Sequence, residues 1–437
     1  MNDMTRKHSL PPKLPLGMAP DGPARLRPLR AGPFGVLDIG TSKIVCLIGR
    51  VDGDGQLRVL GLGHNQSRGV RGGGIIDLDA AEACIRAAVG DAEKMADHRL
   101  RSVTVNLTCG HPESRLFDLQ WPVGNRPVTE ADVRRVVLEG RGRAFCEGRD
   151  TIHALPLSFA VDDTQGVADP RGLHCDILSA RLHVVDAGTT ALRNLQLTLE
   201  RCELDLGELV SAPMASGLST LVEDERQLGA TCIDMGGGAT SLAVFSEGQL
   251  LHTAQLPVGG NHVTNDVARL LSTPVAEAER LKTVYGNAEP SPDDEREILT
   301  TPVVGEEYDD MQRIPRSRLV AIIKPRLEET FELVRDQLNG AGLVQESGTR
   351  VVLTGGASQL SGAREMASRI LGRQVRLGRP ASLRGLPDRA SGPALATAAG
   401  LLTWATGSGR YLADMDLTDD RPVSVLRRFV NFLRDRV

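Results

Sequence analysis

The chain has 437 residues, 41% of them apolar and 24% charged, and a formal net charge of −5. That length supports two or more domains with cores of their own, and the apolar content is that of a soluble globular protein. The acidic balance argues against a general nucleic-acid binder.

Residues 1–33 hold six basic and two acidic side chains and seven prolines, and read as a disordered basic tail. Phe34–Arg50 reads as two short strands joined by a tight turn at Gly40-Thr41-Ser42, with another strand over Gln56–Gly63. Leu78–Asp97 has helical spacing, and Val103–Cys109 is a strand. Thr129 with Asp132 three positions on predicts a capped helix start. Over Asp176–Val185, Leu178, Ala180, Leu182 and Val184 alternate as one buried strand face. Residues 189–203 are helical, and Thr231–Ser246 repeats the opening strand–turn–strand plan. Asn261–Tyr285 reads as helical, with Pro274 beginning its second half. Polar, acidic residues 286–316 suggest a hairpin with long loops. Pro315–Asn339 is a long helix, bent or interrupted at Pro325. Val351–Thr354 is a strand entering Gly355-Gly356, followed by a helix through Leu371 and a last body helix over 392–405. Strands alternating with helices predict an α/β architecture, and the near-repeat at Asp38 and Asp234 predicts two similar halves.

Cys46, Cys84, Cys109, Cys146, Cys175, Cys202 and Cys232 form no CxxC pair and read as buried reduced thiols. Nine dispersed histidines without an HExxH pattern predict no protein-built metal site. No apolar run is long enough to span a bilayer, and the N-terminus lacks the apolar core of a signal peptide.

"VLDIGTSKIVCLIG" and "CIDMGGGATSLAVF" carry the chemistry. A tight turn of small residues between strands gathers backbone N–H groups into a nest that binds phosphate oxygens. Gly40, Gly236, Gly237 and Gly238 let phosphate approach, while Thr41, Ser42 and Thr240 can add hydroxyl donors. Lys43 supplies a positive charge in a chain with 45 arginines and only six lysines. Asp38 and Asp234 would repel phosphate directly, so they require a cation between; Mg²⁺ often meets carboxylates through its retained waters. Two facing nests, each with one Asp, would clamp the phosphates of a nucleotide and its Mg²⁺. Gly355 and Gly356 after their strand would let a flat base approach the backbone.

The order "DIGTSK", "DMGGGATS", "LTGGAS" resembles the actin-like ATPase superfamily over residues 34–405. "QSRGVRGGGIIDLDA", "LVEDERQLGA", "LPVGGNHVTNDVA", "TPVAEAERLK" and "VVLTGGASQLSG" are similar to one branch, the bacterial cell-division family FtsA. The resemblance implies an actin-like fold: two large domains flanking a nucleotide cleft, with an insertion and a C-terminal amphipathic helix. Its parts would be subdomain 1A at 34–110, 186–228 and 389–407, the 1C insertion at 111–185, 2A at 229–255 and 348–388, and 2B at 256–347. It places Glu279 and Lys282 beside the adenosine, with Gly355 and Gly356 behind the base, and counts Ser358 among the adenosine contacts. It implies ATP and Mg²⁺ as ligands. The implied partners are the FtsZ C-terminal tail, further copies of the chain and other division proteins, at the cytoplasmic face of the inner membrane. Arg313, Arg316 and Arg318 are candidates for the FtsZ dock, though a solvated basic helix start explains any one of them equally.

One departure from the superfamily concerns hydrolysis. Hydrolysing relatives carry a Glu before Pro that orients the attacking water; here "SAPMASG" has Ala212 before Pro213. Alanine cannot position water, so ATP is expected to be bound and turned over slowly, if at all. A small-molecule kinase of the same superfamily is the alternative. Asp162, Asp163 or Asp169 could then mimic its catalytic base.

A Gly-Ser-Gly linker and an acidic run at 408–421 precede "RPVSVLRRFVNFLRDRV". On a helical wheel Val425, Leu426, Phe429, Val430, Phe432 and Leu433 share one arc, and Arg427, Arg428 and Arg434 the other. A basic amphipathic helix of this kind can lie among anionic lipid headgroups, against the commoner fate of packing on its own domain.

Overall fold

The computed structural model describes residues 32–305, 311–343, 347–381, 383–386 and 392–407. The expected terminal helix, and the basic tail up to residue 31, lie outside the described residues.

The first half opens with an antiparallel meander of β1 (Phe34–Ile39), β2 (Lys43–Val51) and β3 (Leu57–Gln66). All six residues of β1 are buried, as a continuous apolar run covered on both faces must be. A small hairpin, β4 (Val70–Arg71) and β5 (Gly74–Ile75), leads into α1 (Leu78–Ala96). Asp77 caps α1 by accepting the Ala80 N–H at 3.1 Å. Then β6 (Ser102–Leu107) lies parallel to β1.

An insertion follows: β7 (Glu113–Pro127), α2 (Glu130–Arg143), β8 (Arg149–Val161), β9 (Thr164–Val167) and β10 (His174–Gly188). Its strands form an antiparallel sheet in the order β7-β10-β8-β9. Val133, Val136 and Val137 of α2 pack on Leu178, Ala180, Leu182 and Val184, the face read from alternation. The Thr129–Asp132 capping box is present, and Arg126 also grips the Asp132 carboxylate with two 2.7 Å bonds. Those Arg126 bonds hold the Asp132 carboxyl far below the usual carboxylate range, against the effect of burial.

The chain returns through α3 (Thr189–Arg201) to β11 (Asp205–Ser211), which completes a sheet ordered β11-β6-β1-β2-β3. It crosses to the second half through α4 (Ala212–Thr220) and α5 (Glu223–Leu228). There β12 (Ala230–Met235), β13 (Thr240–Ser246) and β14 (Gln249–Leu256) repeat the meander. Next come α6 (Gly260–Leu270), α7 (Val275–Tyr285), the hairpin β15 (Ile298–Pro302) and β16 (Met311–Pro315), and α8 (Arg316–Gly340). Finally β17 (Arg350–Thr354), α9 (Ala363–Leu371) and β18 (Gln374–Leu377) extend the sheet to β14-β13-β12-β17-β18, and α10 (Ala396–Ala405) crosses back. Each large sheet thus has an antiparallel meander with two parallel strands added beyond its first strand.

Three apolar layers hold this together. One core lies between the first sheet and α1 and α3, and another between the second sheet and α6 to α9. The third, with Phe34, Leu47, Met214, Phe245, Leu401 and Trp404, sits between the two sheets around α4 and α10.

Two readings are refined. The helix expected over Asn261–Tyr285 is two helices, because the fixed ring of Pro274 starts a new one. The helix at Pro325 is continuous for 25 residues. Ala321, whose carbonyl loses its partner there, is exposed, so water can satisfy it. Six of the seven cysteines are buried free thiols, but Cys146 is exposed beyond the end of α2. Among the described residues no helix is long and apolar enough to cross a membrane.

Candidate nucleotide cleft

The two meanders turn identically. Gly40 N–H donates to the Lys43 carbonyl at 3.0 Å, and Gly236 N–H to the Ala239 carbonyl at 2.9 Å. Asp38 and Asp234 each occupy the next-to-last position of the strand entering its turn. Both turns line one cleft of about 790 Å³, within the size range of small-molecule sites.

The turns approach each other closely across it. A Cβ on Gly237 would overlap Ser42 Oγ, and one on Gly238 would stand 2.5 Å from Thr41 Oγ1. Ser42 Oγ reaches Asn261 Oδ1 at 3.3 Å, and Gln255 Nε2 donates to the Thr108 carbonyl at 3.0 Å, so polar contacts join the halves over the cleft. Any larger side chain at 237 or 238 would fill the space where the two nests meet.

At the cleft floor Asn106 of β6 holds Asp38: its Nδ2 donates to Oδ1 at 2.7 Å, while its Oδ1 accepts the Ile39 N–H at 2.7 Å. Asp234 is held differently, by the Ser216 hydroxyl at 2.5 Å and the Thr397 hydroxyl at 3.0 Å, both on Oδ2. Lys43 Nζ donates to the Ala394 carbonyl. Burial pushes the Asp38 carboxyl up to about 7; Lys43 opposes this and Asp234 adds to it. Burial likewise raises Asp234, against its two hydroxyl donors and Lys43. Burial lowers the Lys43 ammonium, against the pull of Asp38 and then Asp234. One amine therefore serves two buried carboxylates, a donor set short of positive charge. A divalent cation with its waters fits that set.

The wall expected to face the adenosine is built from α6, α7 and the loop after β17. Lys282 Nζ donates to Glu279 Oε2 at 2.6 Å, to Thr264 Oγ1 at 2.8 Å and to the Gly260 carbonyl at 3.2 Å. Burial works to raise the Glu279 carboxyl, but hydrogen bonds from Lys282 and Thr264 outweigh it and leave it below the usual range. Gly355, at φ +86°, and Gly356 line the same wall.

Most residues read from sequence meet here: Asp38, Gly40, Thr41, Ser42, Lys43, Asp234, Gly236, Gly237, Gly238, Glu279, Lys282, Gly355 and Gly356 all line the cleft. Thr240 does not. It is fully buried within the hairpin, and Ser241, one position on, takes the wall, because side chains alternate across a strand. Ser358 is also turned away, its hydroxyl donating to the Gly355 carbonyl at 2.7 Å. Asn106, Ser216, Thr397 and Asn261 were missed. Thr397 is a lone polar residue in an apolar run, while Asn106 and Ser216 stand among other small polar residues, so nothing in the local pattern singles them out.

Of the arginines proposed for docking, Arg316 is committed inward. It donates to the Tyr285 carbonyl at 2.9 Å and pairs with Asp294 and Glu297. Arg313 and Arg318 are exposed on β16 and α8. Asp162 and Asp169 serve local turns: Asp162 accepts the Ile177 N–H at 2.9 Å and Asp169 pairs with Arg171. With Asp163, they lie outside the cleft lining. Val425, Leu426, Phe429, Val430, Phe432, Leu433, Arg427, Arg428 and Arg434 lie outside the described residues.

Two like halves around a cleft of paired glycine turns and facing aspartates define the actin-like fold. Solved structures agree. A chain of the PilM-PilN type IV pilus biogenesis complex superposes with a TM-score of 0.62 at 20% identity, covering 85% of this chain and 98% of that one. MreB5 of Spiroplasma citri, solved bound to ADP, gives 0.51 at 14% identity, covering 85% and 95%. Family models match as "Cell division protein FtsA" over residues 231–400 and as "SHS2 domain inserted in FTSA" over 109–186. The cell division protein FtsA of Rhizobium meliloti is 42% identical over 90% of this chain and 95% of its own. That of Pseudomonas aeruginosa is 36% identical over 91% and 96%, and that of Escherichia coli K12 is 34% identical over 85% and 90%. The chain belongs to the FtsA family of cell division proteins.

Proposed function

We propose that this protein binds Mg²⁺–ATP in the cleft and, in that state, polymerises and tethers FtsZ filaments to the inner face of the cytoplasmic membrane. The observation that carries the nucleotide reading is the pair of matching turns whose aspartates converge on Lys43 in one cleft. Gly40, Thr41, Ser42 and Lys43 would hold one side of the phosphate chain and Gly236, Gly237 and Gly238 the other, with Asp38 and Asp234 holding the metal through its waters. The metal would offset the charge of the phosphates; the chain's own residues bind, orient and exclude water. Ala212 lies on the cleft wall with no group able to orient a nucleophile, so nucleotide binding acts as a conformational clamp with slow turnover.

The terminal helix would supply the membrane contact, each buried apolar side chain contributing about 1.5–3 kcal/mol before ordering costs. Copies along a filament would convert that reversible contact into firm attachment. The FtsZ tail would dock on subdomain 2B, where Arg313 and Arg318 offer exposed charge, and other division proteins on the insertion. Titration with ATP in magnesium and in EDTA tests the clamp: tight magnesium-dependent binding is expected, and no affinity in magnesium would overturn it. Co-sedimentation with anionic vesicles tests the tether: a version ending at Gly407 should stay in solution while the full chain pellets.

A further inference from the structure

Asp38 and Asp234 occupy equivalent places in the two halves, yet their carboxylates are anchored by different means. Asp38 is held within its own sheet, by Asn106 of the neighbouring strand. Asp234 is held from outside its sheet, by Ser216 of α4 and Thr397 of α10. These are the two helices through which the chain passes between the halves. α10 packs on β1, β2 and β6 of the first sheet, α4 packs mainly on the second sheet at β12 and β13 while also touching β11 and β6 of the first, and the helices pack on each other.

The local chemistry is unambiguous about direction. Each hydroxyl has one proton to give, and an ionised carboxylate has none. With Asp234 ionised, both protons go to its Oδ2, and the 3.0 Å contact between the two hydroxyl oxygens takes neither. The pair occupies one carboxylate oxygen and leaves the other, Oδ1, with no hydrogen bond among the described residues. Oδ1 stands where a side chain on Gly355 would stand: a Cβ there would overlap it. Ser216 is completely buried and Thr397 is 9% exposed, so neither hydroxyl has ready access to bulk water as a competing partner. A second bond, from Ser219 Oγ to the Ala396 carbonyl at 2.7 Å, locks the two helices together one turn away.

We propose that Ser216 and Thr397 are positioning residues that hold the Asp234 carboxylate for the waters of the metal, and that they tie that carboxylate to both crossings between the halves. The inference rests on the nucleotide reading above and deepens it. Hydrogen bonds to one oxygen fix the rotation of the carboxylate, with the other oxygen kept for a metal-bound water. Because the donors come from the crossing helices, a change in the angle between the halves must either carry Asp234 with it or break these bonds. Metal-loaded nucleotide and closure of the halves are then coupled through three side chains.

The test compares Ser216→Ala, Thr397→Val and the double variant with the unaltered full chain. ATP affinity is measured by calorimetry in magnesium and again in EDTA, and the ratio is the readout. The expected result is a loss of about tenfold in the magnesium arm with the EDTA arm unchanged, the lower end of what losing an outer hydrogen-bond partner costs at a metal site. Ser216→Thr and Thr397→Ser, which keep a hydroxyl, should keep the ratio. Variants that melt earlier yet retain the unaltered ratio would show that the hydroxyls only pack the two crossing helices, and would overturn the proposal. Thr397→Val preserves shape and carries the test alone should removal of Ser216 prevent folding. An unaltered chain without magnesium-dependent affinity would overturn the nucleotide reading and this inference together; a preserved ratio overturns this inference only.

Discussion

At the scale of single residues the cleft is a problem in charge balance. Asp38, 7% exposed, is raised to about 7 by burial, and the Lys43 amine only partly compensates. Asn at this position keeps the acceptor for Asn106 Nδ2 while removing the charge. Asp38→Asn should therefore fold normally and lose about ten- to a hundredfold of its magnesium-dependent ATP affinity. Equilibrium binding with and without the metal checks this; an unchanged magnesium effect would remove Asp38 from the metal site. Thr240 shows the limit of reading a motif residue by residue. Its hydroxyl matches the phosphate-turn pattern, but strand alternation faces it into the hairpin and gives the wall to Ser241.

At the scale of elements the two crossing helices, α4 and α10, matter most. α4 and α10 meet so closely that a Cβ on Gly400 would overlap the Ala215 carbonyl oxygen, a backbone atom that cannot rotate aside. Alanine is the better helix former by about 1 kcal/mol, yet Gly400→Ala should destabilise the protein by about 1–3 kcal/mol net, because overpacking prevails. Chemical denaturation measures this, and a gain in stability would contradict the contact.

A second junction joins the insertion to β14. Ser114 Oγ contacts His183 Nε2 at 2.8 Å and His252 Nδ1 at 3.2 Å, and accepts the Thr253 N–H at 3.2 Å. Burial, with smaller effects from His153 and His252, pushes His183 from 6.5 down to about 3. The unfolded chain then takes up the proton first. Stability is full above about pH 6.5 and declines as pH falls toward 3, by at most ~1.4 kcal/mol per pH unit for this group. His183→Gln should flatten the fall in melting temperature between neutral pH and about pH 5. An unchanged slope would assign the acid sensitivity elsewhere.

At the scale of the whole molecule, the proposed role requires two ends to act together: a nucleotide-clamped body and a lipid-seeking terminus. Glu in place of Phe429 and Leu433 puts two charges on the apolar arc. That double change should abolish sedimentation with anionic vesicles while leaving ATP affinity in magnesium untouched. Retained vesicle binding would move the membrane contact to another surface.

Much of this was legible in the residues themselves. Continuous apolar strands flanking the turns at Gly40 and Gly236 specify buried hairpins whatever surrounds them, and Thr129 with Asp132 specifies its own helix start, because those interactions are local. α4 was not legible. Eight of its nine residues are buried, so it shows no apolar stripe for a periodicity to reveal. Nor could the sequence say that Ser216, Thr397 and Asp234, up to 181 residues apart, share one carboxylate oxygen. Local pattern determined the strands, the turns and the chemistry they offer. Only the packing of two sheets on a shared pair of helices decided which hydroxyls reach Asp234, since a contact between distant segments leaves no periodic trace in either of them.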